Sequence, residues 1–227
     1  MFLDFLNGMK IKRIAYAASF GTDEWEFTTE QTNICATLAQ KFDAISVREA
    51  SGVSLCRNHL NVEATNVLDP TLLLTAEDYT RLCIDIPRKK PFVFAYILDQ
   101  SEEKIKMIKD FASTKGLPYL IQSAGPAIEQ DDSIELWLSR FRDAAYVITD
   151  SFHGTAFSIN FGKDFFVFAN KGRGLSRFES LLGQFGLTHR IINSSSKEYL
   201  PINWTIINLK LTELRKKSLE WLSRALA

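Results

Sequence analysis

Cysteine is scarce. Cys35, Cys56 and Cys83 stand far apart and form no CxxC pair. That spacing argues against a disulfide framework or a zinc ribbon and fits a reducing compartment. Histidine is equally scarce, with only His59, His153 and His189. No cluster of His, Cys, Asp or Glu has metal-ligand spacing, so no metal is expected, and no cofactor is expected either. Charge of one sign is not in excess: 27 Lys and Arg balance 27 Asp and Glu. Bulk charge therefore supports neither nucleic acid nor a membrane surface as a partner. No run approaches the roughly 20 apolar residues of a membrane span. The opening MFLDFLNGMKIKR is interrupted by Asp4 and has no basic residue ahead of its apolar stretch, the reverse of a signal peptide. A cytoplasmic protein is expected. Tandem repeats and low-complexity segments are also missing. GRG at 172–174 is too short for a dinucleotide fingerprint and reads as a loop that includes Arg173.

What is present is alternation. RIAYAAS (13–19) reads as a strand, and TTEQTNICATLAQKF (28–42) as a helix opened by a Thr28–Gln31 capping box. DAISVRE (43–49) is a strand and 50–59 a helix. EATNVLDP (63–70) is a strand stopped by Asp69-Pro70. After a Pro-flanked basic run, DIPRKKP, the rhythm resumes with FVFAYIL (92–98) and a helix from Ser101 to Gly116. PYLIQSA (118–124), a helix capped by Asp132 and Glu135, and AYVITD follow. A helix then runs to Gly162, and the strand DFFVFA (164–169) comes after it. A helix near 175–185, a short HRII strand and a long helix over about 204–225 complete the chain.

Strict alternation predicts an α/β fold of Rossmann-like parallel sheets. The expected organisation is a partial unit over 1–75, a linker over 76–90, a complete unit over 91–203 and a C-terminal helix over 204–227. Parallel sheets bind ligands at the carboxyl ends of their strands. Ser19, Gly21, Arg48, Asp69, the run from Ser123 through Gly125 to Pro126, and His153 all fall there.

In VITDSFHGTAFSINFG (147–162) a histidine stands in the first turn of a helix, directly after a strand. A helix N-terminus favours phosphate or carboxylate groups. Gly154 would let a ligand approach the backbone. Asp150 or Ser151 would cap the turn, and Asp150 would also orient the imidazole. His153 is then a proton donor or anion contact; the equal alternative is a capping or core-rim histidine. Arg48 alternatively makes a strand-end salt bridge with Glu49 or Asp69, and Arg177 alternatively lies on the surface. Asp69-Pro70 reads as structural, and Ser19 and Gly21 as loop-shaping.

AYAASFG, FDAISVREASGVSL, VLDPTLLL, VITDSFHGTAFSINFGKDFFVF and SRFESLLGQFGL occur in this order and spacing. Together they resemble the polysaccharide pyruvyl transferase family over most of residues 13–192. The resemblance implies a GT-B-type arrangement of two Rossmann-like domains, the first incomplete here. It implies transfer of a pyruvyl unit from phosphoenolpyruvate, the donor substrate, onto a sugar of a surface glycan or its lipid-linked precursor. It makes His153 the general acid or a phosphate contact. Arg48, Arg177, Ser123, Gly125, Ser151 and Gly154 become substrate-binding residues, with Arg48 and His153 facing one cleft.

The sequence departs from the family at two points. Many members carry an arginine two residues before the histidine, where this chain has Ser151. Members also open with a Gly-rich strand-turn and roughly a hundred further residues, so the chain is expected to be a truncated form. Two other readings follow: a glycosyltransferase that takes a nucleotide sugar, and an inactive binding or assembly protein. In the last helix Ile207, Leu211, Leu214, Trp221 or Leu222, and Ala225 form an apolar stripe broken by Ser218. With a shortened first domain, part of that stripe is expected to lie uncovered and to drive self-association.

Overall fold

The computed structural model describes residues 2–85, 91–123, 133–168, 174–192 and 200–227. The chain divides into two compact units. Unit 1 comprises Met1–Leu73, Lys171–Phe185 and Asn208–Ala227; unit 2 comprises Leu74–Asn170 and Gly186–Ile207. Both are built on wholly parallel sheets, as strand–helix alternation requires.

Unit 1 holds a three-stranded sheet in the order β1 (Ile14–Ala18), β2 (Ala44–Val47), β3 (Thr65–Asn66). Helix α1 (Thr29–Ala39) starts at the expected Thr28–Gln31 capping box. Helix α2 (Ala50–Leu55) continues as a π-helical turn over Cys56–Leu60, which ends at Asn61 in the left-handed region. Ala39, Val47, Cys56 and Leu60 form the core between α1, α2 and the sheet. Strand β1 carries a bulge: its register with β2 shifts between Ala15 and Ala18, and Ala17 adopts φ 51. The Ser46 hydroxyl fills the gap, accepting the Ala17 amide at 2.9 Å and donating to the Ala15 carbonyl at 3.0 Å. The third strand is much shorter than expected. After two paired residues the chain runs on to a 3-10 turn over Pro70–Leu72, capped by the Asp69 carboxylate.

Unit 2 holds five strands in the order β5 (Tyr119–Gln122), β4 (Val93–Tyr96), β6 (Tyr146–Thr149), β7 (Asp164–Phe168), β8 (Ile191–Ile192). Alternate residues face opposite sides of each strand. Val93, Ala95, Ile148 and Phe168 pack under α4 (Glu102–Lys115) with Ile108 and Ala112. On the opposite face Phe94 and Tyr96 meet Phe141 and Trp137 of α5 (Ile134–Asp143) edge to face. Phe157 of α6 (Phe152–Asn160) joins that aromatic cluster.

Two local expectations are corrected. Residues 76–80, assigned to a linker, form α3 (Ala76–Thr80), opened by a capping box between Thr75 and Asp78. The cap of α5 is Ser133, whose hydroxyl accepts the Leu136 amide at 3.2 Å. Glu135 lies inside the first turn, and Asp132 falls outside the described residues.

Helices α7 (Leu175–Phe185) and α8 (Trp204–Leu226) complete the chain. The apolar stripe of α8 is not left uncovered. Ile207, Leu211 and Ser218 are buried, and Leu214, Trp221, Leu222 and Ala225 are half-buried. The strongly exposed apolar residues of this helix, Ile206 and Leu209 among them, lie off the stripe. Ser218 breaks the stripe because it meets a backbone group: it accepts the Leu68 amide at 3.0 Å, while Tyr16 donates to the Leu68 carbonyl at 3.0 Å. Among the described residues no helix is long and apolar enough to cross a membrane.

Candidate active site

In unit 2 the carboxyl ends of β4 and β6 meet the first turn of α6. Thr149, the last residue of β6, donates its hydroxyl to the Tyr96 carbonyl at 2.6 Å and accepts the Ser151 amide at 3.0 Å. Ser151 is the N-cap of α6; its Oγ accepts the Gly154 amide at 3.2 Å. Its carbonyl takes both the amide and the hydroxyl of Thr155, each at 3.0 Å. Within Ser151–Thr155 every residue except His153 is buried. The imidazole is thus the one exposed side chain of a turn whose other groups are fixed, and it stands edge-on to Phe152, with ring centroids 5.6 Å apart.

The structure gives three of the expected residues local duties. Gly154 seats on its own strand. A Cβ there would overlap the Thr149 hydroxyl, so glycine is needed for the helix to seat on its own strand. Ser151, 4% exposed, spends its hydroxyl on the cap. Asp150 does not orient the imidazole. Its carboxylate accepts the amides of Leu98 at 2.6 Å and Asp99 at 3.1 Å, and pairs with Lys104 Nζ at 2.7 Å. Asp150 therefore ties the loop after β4 to the end of β6. Ser123 lies at the same edge, where its hydroxyl accepts from the Gln100 amide group. Beside it the Gln122 side-chain oxygen, Oε1, is buried with no hydrogen-bond donor among the described residues. Gly125, Pro126 and Arg173 fall outside the described residues.

Unit 1 has its own carboxyl-edge cluster. Arg48, immediately after β2, pairs with Asp69 at 2.6 Å and lies 3.8 Å from Glu49. Both carboxylates are 1% exposed, the arginine side chain 16%. Burial pushes the Asp69 carboxyl up. Hydrogen bonds from the Thr71 hydroxyl and amide, with the Arg48 guanidinium, outweigh that and hold it below the usual range. Ser19 donates to Glu49. The alternative reading of Arg48 as a strand-end ion pair describes this geometry.

Arg177 lies half-buried in the first turn of α7, in unit 1. The helix is seated by the Ala50 amide, which donates to Ser180 Oγ at 2.9 Å. Gly174, at φ +75, is so close to the Gly21 carbonyl that any side chain would overlap it. The structure thus groups Arg48 with Arg177 in one unit, and His153 with Ser123, Ser151 and Gly154 in the other. Among the described residues no group of His, Cys, Asp and Glu is placed to hold a metal ion.

Sequence reasoning passed over Lys104, Thr149 and Gln122. Lys104 looks like any first-turn lysine, and its partner lies 46 residues on. Thr149 reads only as a strand end, and nothing local marks Gln122.

No curated protein matches the chain. The family model for polysaccharide pyruvyl transferase matches residues 1–172 of the 227. That span includes β1 to β7, the Arg48 cluster and the first turn of α6 with its exposed histidine. The chain belongs to the polysaccharide pyruvyl transferase family.

Proposed function

We propose that the chain transfers a pyruvyl unit from phosphoenolpyruvate to a sugar of a surface glycan or its lipid-linked precursor, and that His153 is the general acid. The observation that carries this reading is the placement of His153. It is an exposed imidazole on a rigid turn, at the positive end of a nine-residue helix, in a chain of this family. The donor carries a phosphate and a carboxylate, both suited to that end of a helix.

Protonation of the donor's methylene carbon makes the adjacent carbon electrophilic. A sugar hydroxyl attacks there and gives up its proton. Phosphate leaves, a second hydroxyl attacks the same carbon, and its proton departs. The products are a pyruvate ketal and inorganic phosphate. One hydroxyl proton balances the proton added to carbon, and the other is released with the phosphate. Imidazole is suited to giving the first proton because its ordinary pKa lies near neutrality. Arg48, held by Asp69, and Arg177 are proposed as substrate-binding cations of unit 1.

The test is phosphate release from phosphoenolpyruvate with a panel of lipid-linked and free glycans, together with mass spectrometry of the acceptor. Ketal formation that disappears in His153→Gln supports the proposal. Transfer of a sugar from a nucleotide sugar, with no phosphate release from phosphoenolpyruvate, overturns it.

A further inference from the structure

Unit 1 has an open groove of ≈ 580 Å³ on the edge of its sheet opposite the Arg48 cluster. Its lining comes from the residues that lead into the strands and from the end of α8. Lys12 precedes β1, Asp43 and Ala44 open β2, and Thr65 opens β3. Trp221, Arg224 and Ala225 come from the last two turns of α8. These are the amino ends of parallel strands, whereas catalytic groups of such sheets collect at the carboxyl ends. The groove is therefore a second place on the molecule, and its volume lies within the range of small-molecule sites.

The lining decides what class of ligand fits. Lys12 Nζ and the Arg224 guanidinium are cations with no acidic partner among the described residues; Lys12 donates to the Leu226 carbonyl at 3.2 Å and Arg224 to the Glu220 carbonyl at 3.3 Å. Asp43 supplies a carboxylate whose Oδ2 is anchored by the Arg13 amide at 2.7 Å. Thr65 adds a hydroxyl. The Trp221 indole is half-buried and braced by Tyr16, with ring centroids 6.0 Å apart.

A simple anion would meet the two cations. It would also meet Asp43 and the carbonyl end of α8, whose partial negative charge opposes it. An apolar ligand would strip water from four polar groups and return no hydrogen bonds. A hydroxyl-rich ring satisfies every group at once. Its hydroxyls donate to the carboxylate and accept from the cations, and its C–H face lies on the indole.

We infer that this groove is an accessory saccharide-binding site, separate from the edge that carries the candidate chemistry. The inference goes beyond the pyruvyl-transfer reading and stands without it, because it is read by binding alone.

The full chain is labelled with 5-fluorotryptophan, and the Trp221 resonance is assigned by its loss in Trp221→Phe. Gluco-, galacto- and manno-oligosaccharides and inorganic phosphate are then titrated separately. At least one saccharide shifts the Trp221 resonance saturably, with a Kd of about a millimolar, leaving the Trp25, Trp137 and Trp204 resonances in place. The double variant Lys12→Ala/Arg224→Ala, which alters only exposed side chains, weakens that Kd about tenfold. The inference is overturned if none of the saccharides moves the resonance. It is equally overturned if the double variant binds as the parent does, or if phosphate alone produces the shift. Pyruvyl transfer to a small acceptor, assayed in parallel, is unchanged by the double variant, so loss of one activity does not imply loss of the other.

Discussion

The Ser218 hydroxyl accepts the Leu68 amide from 150 residues away at 3.0 Å. That amide lies just past β3, where no neighbouring strand receives it. Ser218→Ala leaves a buried N–H without a partner and is expected to cost about 1–3 kcal/mol. Urea denaturation checks this; a change within a few tenths of a kcal/mol would show that the bond contributes little.

Gly154→Ala is expected to destabilise the chain by about 1–3 kcal/mol, because the added methyl meets the Thr149 hydroxyl. That hydroxyl is held between Tyr96 and Ser151 and cannot swing away. In Thr149→Ala the hydroxyl is gone and only the Cβ, 3.1 Å away, remains, so the double variant should lose less than the sum of the two single losses. A thermodynamic cycle from four melts measures the coupling.

Ala17→Gly should stabilise by about 0.5–1 kcal/mol. Ala17 holds φ 51, a region that penalises a Cβ. The gain is reduced by the extra entropy of glycine in the unfolded chain. A rise in the denaturation midpoint with an unchanged slope is the expected result.

Asp69 and Tyr16 shape opposite ends of the pH profile. Asp69 has a lower pKa folded than unfolded. Its stabilising contribution is full above the unfolded carboxylate value and fades as pH falls through the folded one. Asp69→Asn should flatten the acid limb. Tyr16 is pushed up to about 12 by burial, with Asp69 adding to the rise and Ser218 opposing it. Its contribution is complete below the unfolded value of about 10 and is lost as pH climbs towards the folded one. Tyr16→Phe should weaken the chain at neutral pH yet remove that alkaline loss. Stability measured at several pH values distinguishes the two variants.

His153→Gln should abolish product formation and leave the melting temperature within about 2 °C of the parent, since the side chain is exposed on a turn held by others. A large fall in melting temperature would assign His153 a structural role instead.

Much of the architecture is legible in the sequence, because buried parallel strands and amphipathic helices write different periods. Thr28–Gln31 and Gly116 mark helix ends through bonds made within four residues. The third strand is misread because its partners lie elsewhere. EATNVLDP has the composition of a long strand, but only Thr65 and Asn66 find a neighbour to pair with. Thr75 and Asp78 carry a visible capping box, yet the basic run after them reads as a linker. At the candidate site the position of His153 is legible from the strand–turn–helix pattern. The duties of Asp150 and Gly154 are not, because one answers to Leu98, Asp99 and Lys104 and the other to a hydroxyl beneath it.

Unit 1 is assembled from Met1–Leu73, Lys171–Phe185 and Asn208–Ala227. During synthesis its strands leave the ribosome before the helix whose Ser218 receives the Leu68 amide. At 5–20 residues per second, roughly eight to thirty seconds separate the two events. Over that interval the nascent sheet exposes apolar surface and open backbone groups. Unit 2, whose strands β4 to β7 are contiguous in the chain, can form in the meantime. The sheet of unit 1 is thus made well before the helix that completes it, and a chaperone that shields Ile14–Leu68 on the ribosome would act while that sheet is open.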